Sequence, residues 1–297
     1  MTPTRGSPDE PPPRPRPRPP NSAASLAAMT THPSINLPRQ LLLWPDRRTP
    51  RRSPADGDLP RLTYYLPSDE FRSGQSVLIL PGGGYQLVSS PKEGHRPAQL
   101  LAARGIAAGV LEYRHAPQRH PVPLLDAQRA MRWMRAESIA HGLDPGRVGC
   151  MGFSAGGHLA GCLAMLPDLA ESAIDDEVGR QPCHPDFALM IYAVVTMVES
   201  FANQASPRNL LGDNPQPRQL AELSLERAAH PGCPPFFIAH GRDDTVVPVR
   251  NALALYSALL ECGVPATMHL YQDFSHGVGL AANHPWGQAM LDWLGCR

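Results

Sequence analysis

A serine stands between two glycines in the run Val148-Gly149-Cys150-Met151-Gly152-Phe153-Ser154-Ala155-Gly156-Gly157-His158. A serine hydroxyl is a weak nucleophile. It attacks a carbonyl only when it is exposed, placed beside a base and aimed. An apolar strand that breaks at Gly-X-Ser-X-Gly and continues as a small-residue helix does this. The turn crowds the backbone two residues either side of the serine, so only small residues such as Gly152 and Gly156 fit there. The Ala155 N–H is left free to face a developing oxyanion. The positive end of the following helix points at the same place. A Gly-rich loop can produce the pentapeptide by chance, so its meaning depends on partners elsewhere in the chain.

Those partners occur downstream, in the order Ser, acid, His. Residues 235–240 read as a buried strand that runs into Gly241-Arg242-Asp243-Asp244-Thr245-Val246-Val247-Pro248. An acid just past a strand end can hold a histidine in the required tautomer. Asp244 is preferred because it leads into the Val-Val-Pro segment. Asp243 suits a turn role through Asx chemistry. Residues 266–271 alternate as a last strand, and His276 lies in the loop after it, before Gly277. His276 is therefore the expected base. His240 is expected to end a core strand, His269 to lie within one, and His284 is a weaker candidate. Upstream, the apolar strand Ser76–Leu80 is followed by Pro81-Gly82-Gly83-Gly84-Tyr85. Three glycines let backbone N–H groups approach a substrate oxygen. A phosphate loop would need a Gly-Lys-Ser/Thr ending, which is missing here.

Taken together, these segments resemble the bifunctional feruloyl/acetyl-xylan esterase family of α/β-hydrolases. The likeness extends to Tyr113-Arg114-His115-Ala116-Pro117, to the run from Pro121 to Ala130, and to Trp286 with Trp293-Leu294, and covers roughly residues 40 to 296. The resemblance implies a serine esterase that removes short acyl groups, acetyl above all, from sugars or xylo-oligosaccharides. It implies Ser154 as nucleophile, Asp244 as acid and His276 as base. Gly82, Gly83 and Ala155 become the expected oxyanion donors, with Gly84 and Tyr85 near the substrate. It implies no metal and no cofactor. Pro81 stands where many wider relatives carry histidine, and Ala193 where relatives often carry proline. Neither position belongs to the triad.

The elements that must position these residues follow from Ser76 onward. Strand and helix patterns alternate, which predicts an α/β fold with a mainly parallel sheet and helices on both faces. Segments 41–44 and 62–65 read as early, antiparallel strands. Residues 106–111 are the next strand, 124–141 a helix and 187–192 a buried strand. Ser90-Pro91-Lys92-Glu93 has the form of a capping box with proline at the first helical position. Glu93 is thus expected to cap rather than to touch substrate. Asp126 is expected to be a cap or structural ion-pair member. Residues 195–230 form a short excursion expected to sit over the site as a small cap. It lacks the long apolar faces of an interfacial lid, so short-acyl, water-soluble substrates are expected.

Composition sets the remaining bounds. The 297 residues, 42% hydrophobic, suffice for one sizeable core. The 27 basic and 27 acidic residues balance, which leaves no basic footprint for nucleic acid. The six cysteines lack C-x-x-C spacing, so neither a zinc site nor a redox motif is expected. Cys150 and Cys162 read as buried thiols. No charged region followed by an apolar run of signal-peptide length opens the chain. No stretch is long enough to span a bilayer. A cytoplasmic protein without membrane partners is the expectation. Residues 1–38 differ in kind: the Pro/Arg run cannot form a helix or a sheet core and is expected to be disordered. A spacer is the preferred role, beside docking to an SH3-type groove or an acidic surface. Residues 39–297 are the expected catalytic domain. Met29 offers a second translation start, on which hypothesis residues 1–28 are never made.

Other chemistries fit the same elbow. An arylformamidase-like amidase or another small-molecule carboxylesterase would use the same triad. A prolyl-type peptidase usually needs a large gating domain, and a dienelactone-type hydrolase uses cysteine. From another class, a non-catalytic sugar-binding member of the fold would need none of Ser154, Asp244 and His276.

Overall fold

Short apolar runs, bounded by Gly, Pro and Asp, build one sheet. The computed structural model describes residues 36–45, 48–52, 59–280 and 284–297. The Pro/Arg run and Met29 lie outside the described residues. Eight strands are present among the described residues: β1 (Arg39–Leu42), β2 (Arg61–Tyr65), β3 (Ser76–Leu80), β4 (Ala107–Glu112), β5 (Val148–Phe153), β6 (Ala188–Ile191), β7 (Phe236–Gly241) and β8 (Ala266–Tyr271). Their order in space is β1-β2-β4-β3-β5-β6-β7-β8. The pairs β1–β2 and β2–β4 are antiparallel, and every pair beyond β4 is parallel. Strands β3, β5, β6 and β7 are buried at every residue. Both their faces are covered, which is why they read as continuous apolar runs.

The period of two still sorts side chains between two layers. Leu78, Leu80, Cys150, Met190 and Ile238 pack with α2 (Val122–Ala140), α3 (Ser154–Met165) and α7 (Arg250–Glu261). Val77, Ile79, Met151, Leu189 and Phe237 pack on the other face with α1 (Arg96–Ala102) and α8 (Pro285–Gly295). The excursion holds three short helices, α4 (Ala205–Leu211), α5 (Pro217–Glu222) and α6 (Leu225–Ala228). Leu210, Leu223 and Leu225 from this region join the larger core cluster, so the cap is anchored to the body. No described helix is long and apolar enough to cross a membrane.

The expected capping box at Ser90 does not form. Ser90–His95 is a π-helical turn leading into α1. Ser90 Oγ donates to Glu112 Oε1 at 3.2 Å instead of capping. Glu93 turns inward and is buried. Pro91 does lie in the first turn, as read. The expectation for Asp126 holds: it is fully buried, and its carboxylate accepts from the Arg114 guanidinium, the Arg114 N–H and Trp44 Nε1 at 2.7–3.0 Å. This cluster pins the segment after β4 to α2. Removing one partner of a buried ion pair strands the other charge, which costs about 3–5 kcal/mol. Asp126→Ala is therefore expected to lower the urea midpoint by a corresponding amount, with the slope unchanged; a loss below about 1 kcal/mol would show that the pair holds nothing.

Candidate active site

The site grows from the junction of β5 and α3. Ser154 has φ +52°, a left-handed conformation that non-glycine residues rarely adopt. Such strain persists where the surroundings over-determine it. Here an added Cβ at Gly156 would stand 2.1 Å from Leu80 O and 2.3 Å from Pro81 O, so the helix start sits directly on the end of β3. Val194 N–H donates to Ser154 O at 3.0 Å and ties the elbow to the segment after β6.

Three residues read from the sequence come together here. Ser154 Oγ lies 2.9 Å from His276 Nε2, and His276 Nδ1 lies 2.7 Å from Asp244 Oδ2. A carboxylate only accepts, so Nδ1–H donates to Asp244, which leaves Nε2 of the neutral ring to accept the Ser154 proton. The other Asp244 oxygen accepts the Val246 and Val247 N–H groups, each at 2.9 Å. Burial pushes the Asp244 carboxyl up. The His276 bond, the Val247 N–H, the His276 charge and the Val246 N–H outweigh it, leaving a net depression that keeps Asp244 ionised. Asp243 is exposed and, among the described residues, pairs with its neighbour Arg242. His240 is buried in β7 and bonded to Val247 O at 2.8 Å. His269 lies in β8, and His284 caps α8 through the Trp286 N–H.

The glycine loop borders the serine, but its members differ. Gly82 N–H donates to Glu93 Oε2 at 2.9 Å and is not free. Gly83 N–H has no acceptor among the described residues, and Ala155 N–H lies in the first turn of α3, where no preceding turn can accept it. Of the three expected donors, Gly83 and Ala155 remain available. Gly84 lies at the surface of the loop, and its carbonyl accepts from Asn209 Nδ2 in α4 at 2.8 Å. Tyr85 has a left-handed φ of +58°, and its side chain is buried, with its O–H 2.8 Å from His158 Nδ1. His158 Nε2–H donates to Leu223 O at 2.7 Å. Burial, opposed by the Leu223 bond, holds His158 down at about 4, so it stays neutral.

The sequence reading missed Glu93 and Tyr192. Tyr192 O–H donates to Glu93 Oε1 at 2.7 Å, and its ring lies 4.9 Å from that of His276. The one available signal was the oddity of an acid two residues past a proline and next to a glycine. A cavity of about 900 Å³ opens beside the glycine loop, between Gln86 and the cap residues Met197, Gln204, Asn209 and Asp213. Cys150 and Cys162 are buried free thiols, with burial pushing both well up. No group of three or more metal-ligating side chains occurs among the described residues.

Gly156→Ala should expel α3 from β3. Overpacking of this kind costs about 1–3 kcal/mol or more. A lower melting temperature together with lost fluorophosphonate labelling of Ser154 is expected; unimpaired labelling would mean the elbow tolerates a wider turn.

A family model described as BD-FAE matches residues 62–259. Endo-1,4-beta-xylanase B of Butyrivibrio fibrisolvens is 33% identical over 230 residues, 76% of this chain and 35% of that protein. Acetylxylan esterase of Xylanibacter ruminicola is 29% identical over 245 residues, 81% of this chain and 48% of that protein. The chain thus spans about a third to a half of the length of these curated relatives. The crystal structure of an acetyl ester-xyloside bifunctional hydrolase from Caldicellulosiruptor lactoaceticus superposes with a TM-score of 0.81 at 35% identity, covering 87% of this chain and 96% of that one. With the Gly-X-Ser-X-Gly elbow and the eight-stranded, mainly parallel sheet already in place, the chain belongs to the BD-FAE family of α/β-hydrolases.

Proposed function

We propose that the protein is a serine esterase acting on short acyl esters, foremost acetyl groups on sugars or xylo-oligosaccharides. The bonded line Ser154–His276–Asp244 at a left-handed elbow carries the reading. His276 Nε2 takes the hydroxyl proton as Ser154 Oγ attacks the acetyl carbonyl. Asp244 holds the ring and its forming positive charge. The Gly83 and Ala155 N–H groups receive the oxyanion. The protonated His276 gives its proton to the departing sugar alcohol, leaving an acetyl-serine. Water, deprotonated by His276, releases acetate and restores Ser154. These steps need only side chains and backbone amides.

The relatives named for acetylxylan and acetyl ester-xyloside support the sugar ester. The cavity beside the loop supports it too, since Gln86, Gln204, Asn209 and Asp213 offer donors and acceptors to hydroxyl groups. The anchored cap, with no long apolar face, favours soluble substrates over lipid interfaces.

Acetate release from acetylated xylo-oligosaccharides, beside a small aryl acetate, tests the reading. Release from both, lost in Ser154→Ala, is expected; turnover of the aryl ester alone would leave the serine hydrolase and remove the sugar. Asp244→Asn is expected to lower kcat on the order of 10³–10⁴-fold by imposing the wrong tautomer. Asp243→Asn should change little, and the reverse ranking would reassign the acid.

A further inference from the structure

The nucleophile, the base and the glycine loop stand on separate stretches of chain, and a buried carboxylate joins two of them. Glu93 is 4% exposed in the π-helical turn. Its Oε2 accepts the Gly82 N–H at 2.9 Å and its Oε1 accepts the Tyr192 O–H at 2.7 Å. The Tyr192 oxygen accepts the Gly279 N–H at 2.9 Å, in the loop that carries His276. The Tyr192 ring lies against the imidazole, 4.9 Å between centroids. At Gly279, φ is +58° and an added Cβ would stand 2.7 Å from Lys92 O, so the base loop rests on the backbone of the turn that holds Glu93. π turns inside helices recur at functional sites.

A buried carboxylate needs a reason to be there, because burial alone opposes its charge. Burial pushes the Glu93 carboxyl up, and the Tyr192 bond, the Gly82 N–H, the His276 charge and the Lys92 charge offset this only in part, leaving a net rise. The titratable groups around it are Tyr113 from the end of β4, Tyr192 after β6, His276 with Asp244 behind it, and Lys92 on its own turn. Tyr113 donates to Pro81 O at 2.7 Å rather than to Glu93, so Tyr192 and Gly82 are its hydrogen-bond donors among the described residues.

We propose that Glu93 is a positioning residue for the hydrolysis. Through Gly82 it fixes the glycine loop, and through Tyr192 it fixes the base loop that presents His276 to Ser154. The proposal rests on the triad reading above. Gln in place of Glu93 would remove one of the two acceptor oxygens. Phe in place of Tyr192 would keep the ring on His276 but cut the links to Glu93 and Gly279.

The test uses the full chain with p-nitrophenyl acetate, resolving kcat and KM, and fluorophosphonate labelling as an independent readout of Ser154. Glu93→Gln and Tyr192→Phe are each expected to lower kcat about 10–100-fold through misplacement, with KM changed less than about twofold. The double variant should lose less than the product of the two single losses, because the Glu93–Tyr192 bond is shared by both. Unchanged kcat in Glu93→Gln, with only a lower melting temperature, would reduce Glu93 to a structural role and overturn the proposal. If Glu93→Gln fails to fold, unchanged kcat in Tyr192→Phe overturns it equally. A wild type that neither turns over the ester nor takes the label would instead sink the triad reading itself.

Discussion

One backbone constraint governs this molecule: Ser154 must hold a left-handed conformation where a strand becomes a helix. A non-glycine residue held there costs on the order of 1–3 kcal/mol, which the rest of the fold has to offset. The offset comes from packing. Every residue of α3 is buried, and the Gly156 backbone touches the end of β3 with no room for a methyl group. The strain is useful because it lifts Oγ out of the sheet toward His276 and leaves the Ala155 amide unbonded. The same turn that aims the nucleophile at His276 therefore presents a donor for the charge the nucleophile would create.

Parallel strands leave a second problem. Their hydrogen-bond ladder ends at the edge where the functional loops begin, so those loops need other partners. Buried polar side chains supply them in three places. Tyr85 and His158 join the glycine loop to α3 and, through Leu223 O, to the cap. Glu93 and Tyr192 join the glycine loop to the base loop. Asp126 joins the segment after β4 to α2 and to Trp44. Each link is hydrogen-bonded at both ends, the condition under which a buried polar network rigidifies rather than weakens a core. The neutrality of His158 belongs to this logic: the Leu223 carbonyl demands a proton on Nε2, which frees Nδ1 to accept from Tyr85.

Much of this was legible in the residues, and the part that was not has a common cause. Strands β3 and β5 fall on the apolar runs that announce them, because burial on the sheet selects residue type along the chain itself. The elbow announces itself because glycine is required at fixed offsets from the serine. His276 and Asp244 follow from chain order. Glu93 did not follow, because Ser-Pro-Lys-Glu is locally indistinguishable from a helix start. What decides its role is Tyr192, 99 residues away. The burial of the Tyr85 ring was hidden for a related reason: nothing in the loop sequence announces the positive φ that accompanies it. Local pattern reports the conformations a segment can take; the partners across the fold choose among them.

The same reasoning bears on selectivity. On the proposed reading, the leaving group would sit in the cavity between Gln86 and the cap. The cap is not an independent lid there. Asn209 of α4 holds the Gly84 carbonyl, and Arg119 donates to the Arg208 and Asn209 carbonyls. A change that reshapes the cavity from the cap side therefore pulls on the glycine loop beside the serine. On the same reading, substrate choice and oxyanion geometry would share one wall, so variants that broaden the cavity without disturbing the Asn209–Gly84 bond are the ones in which specificity would change while the chemistry persists.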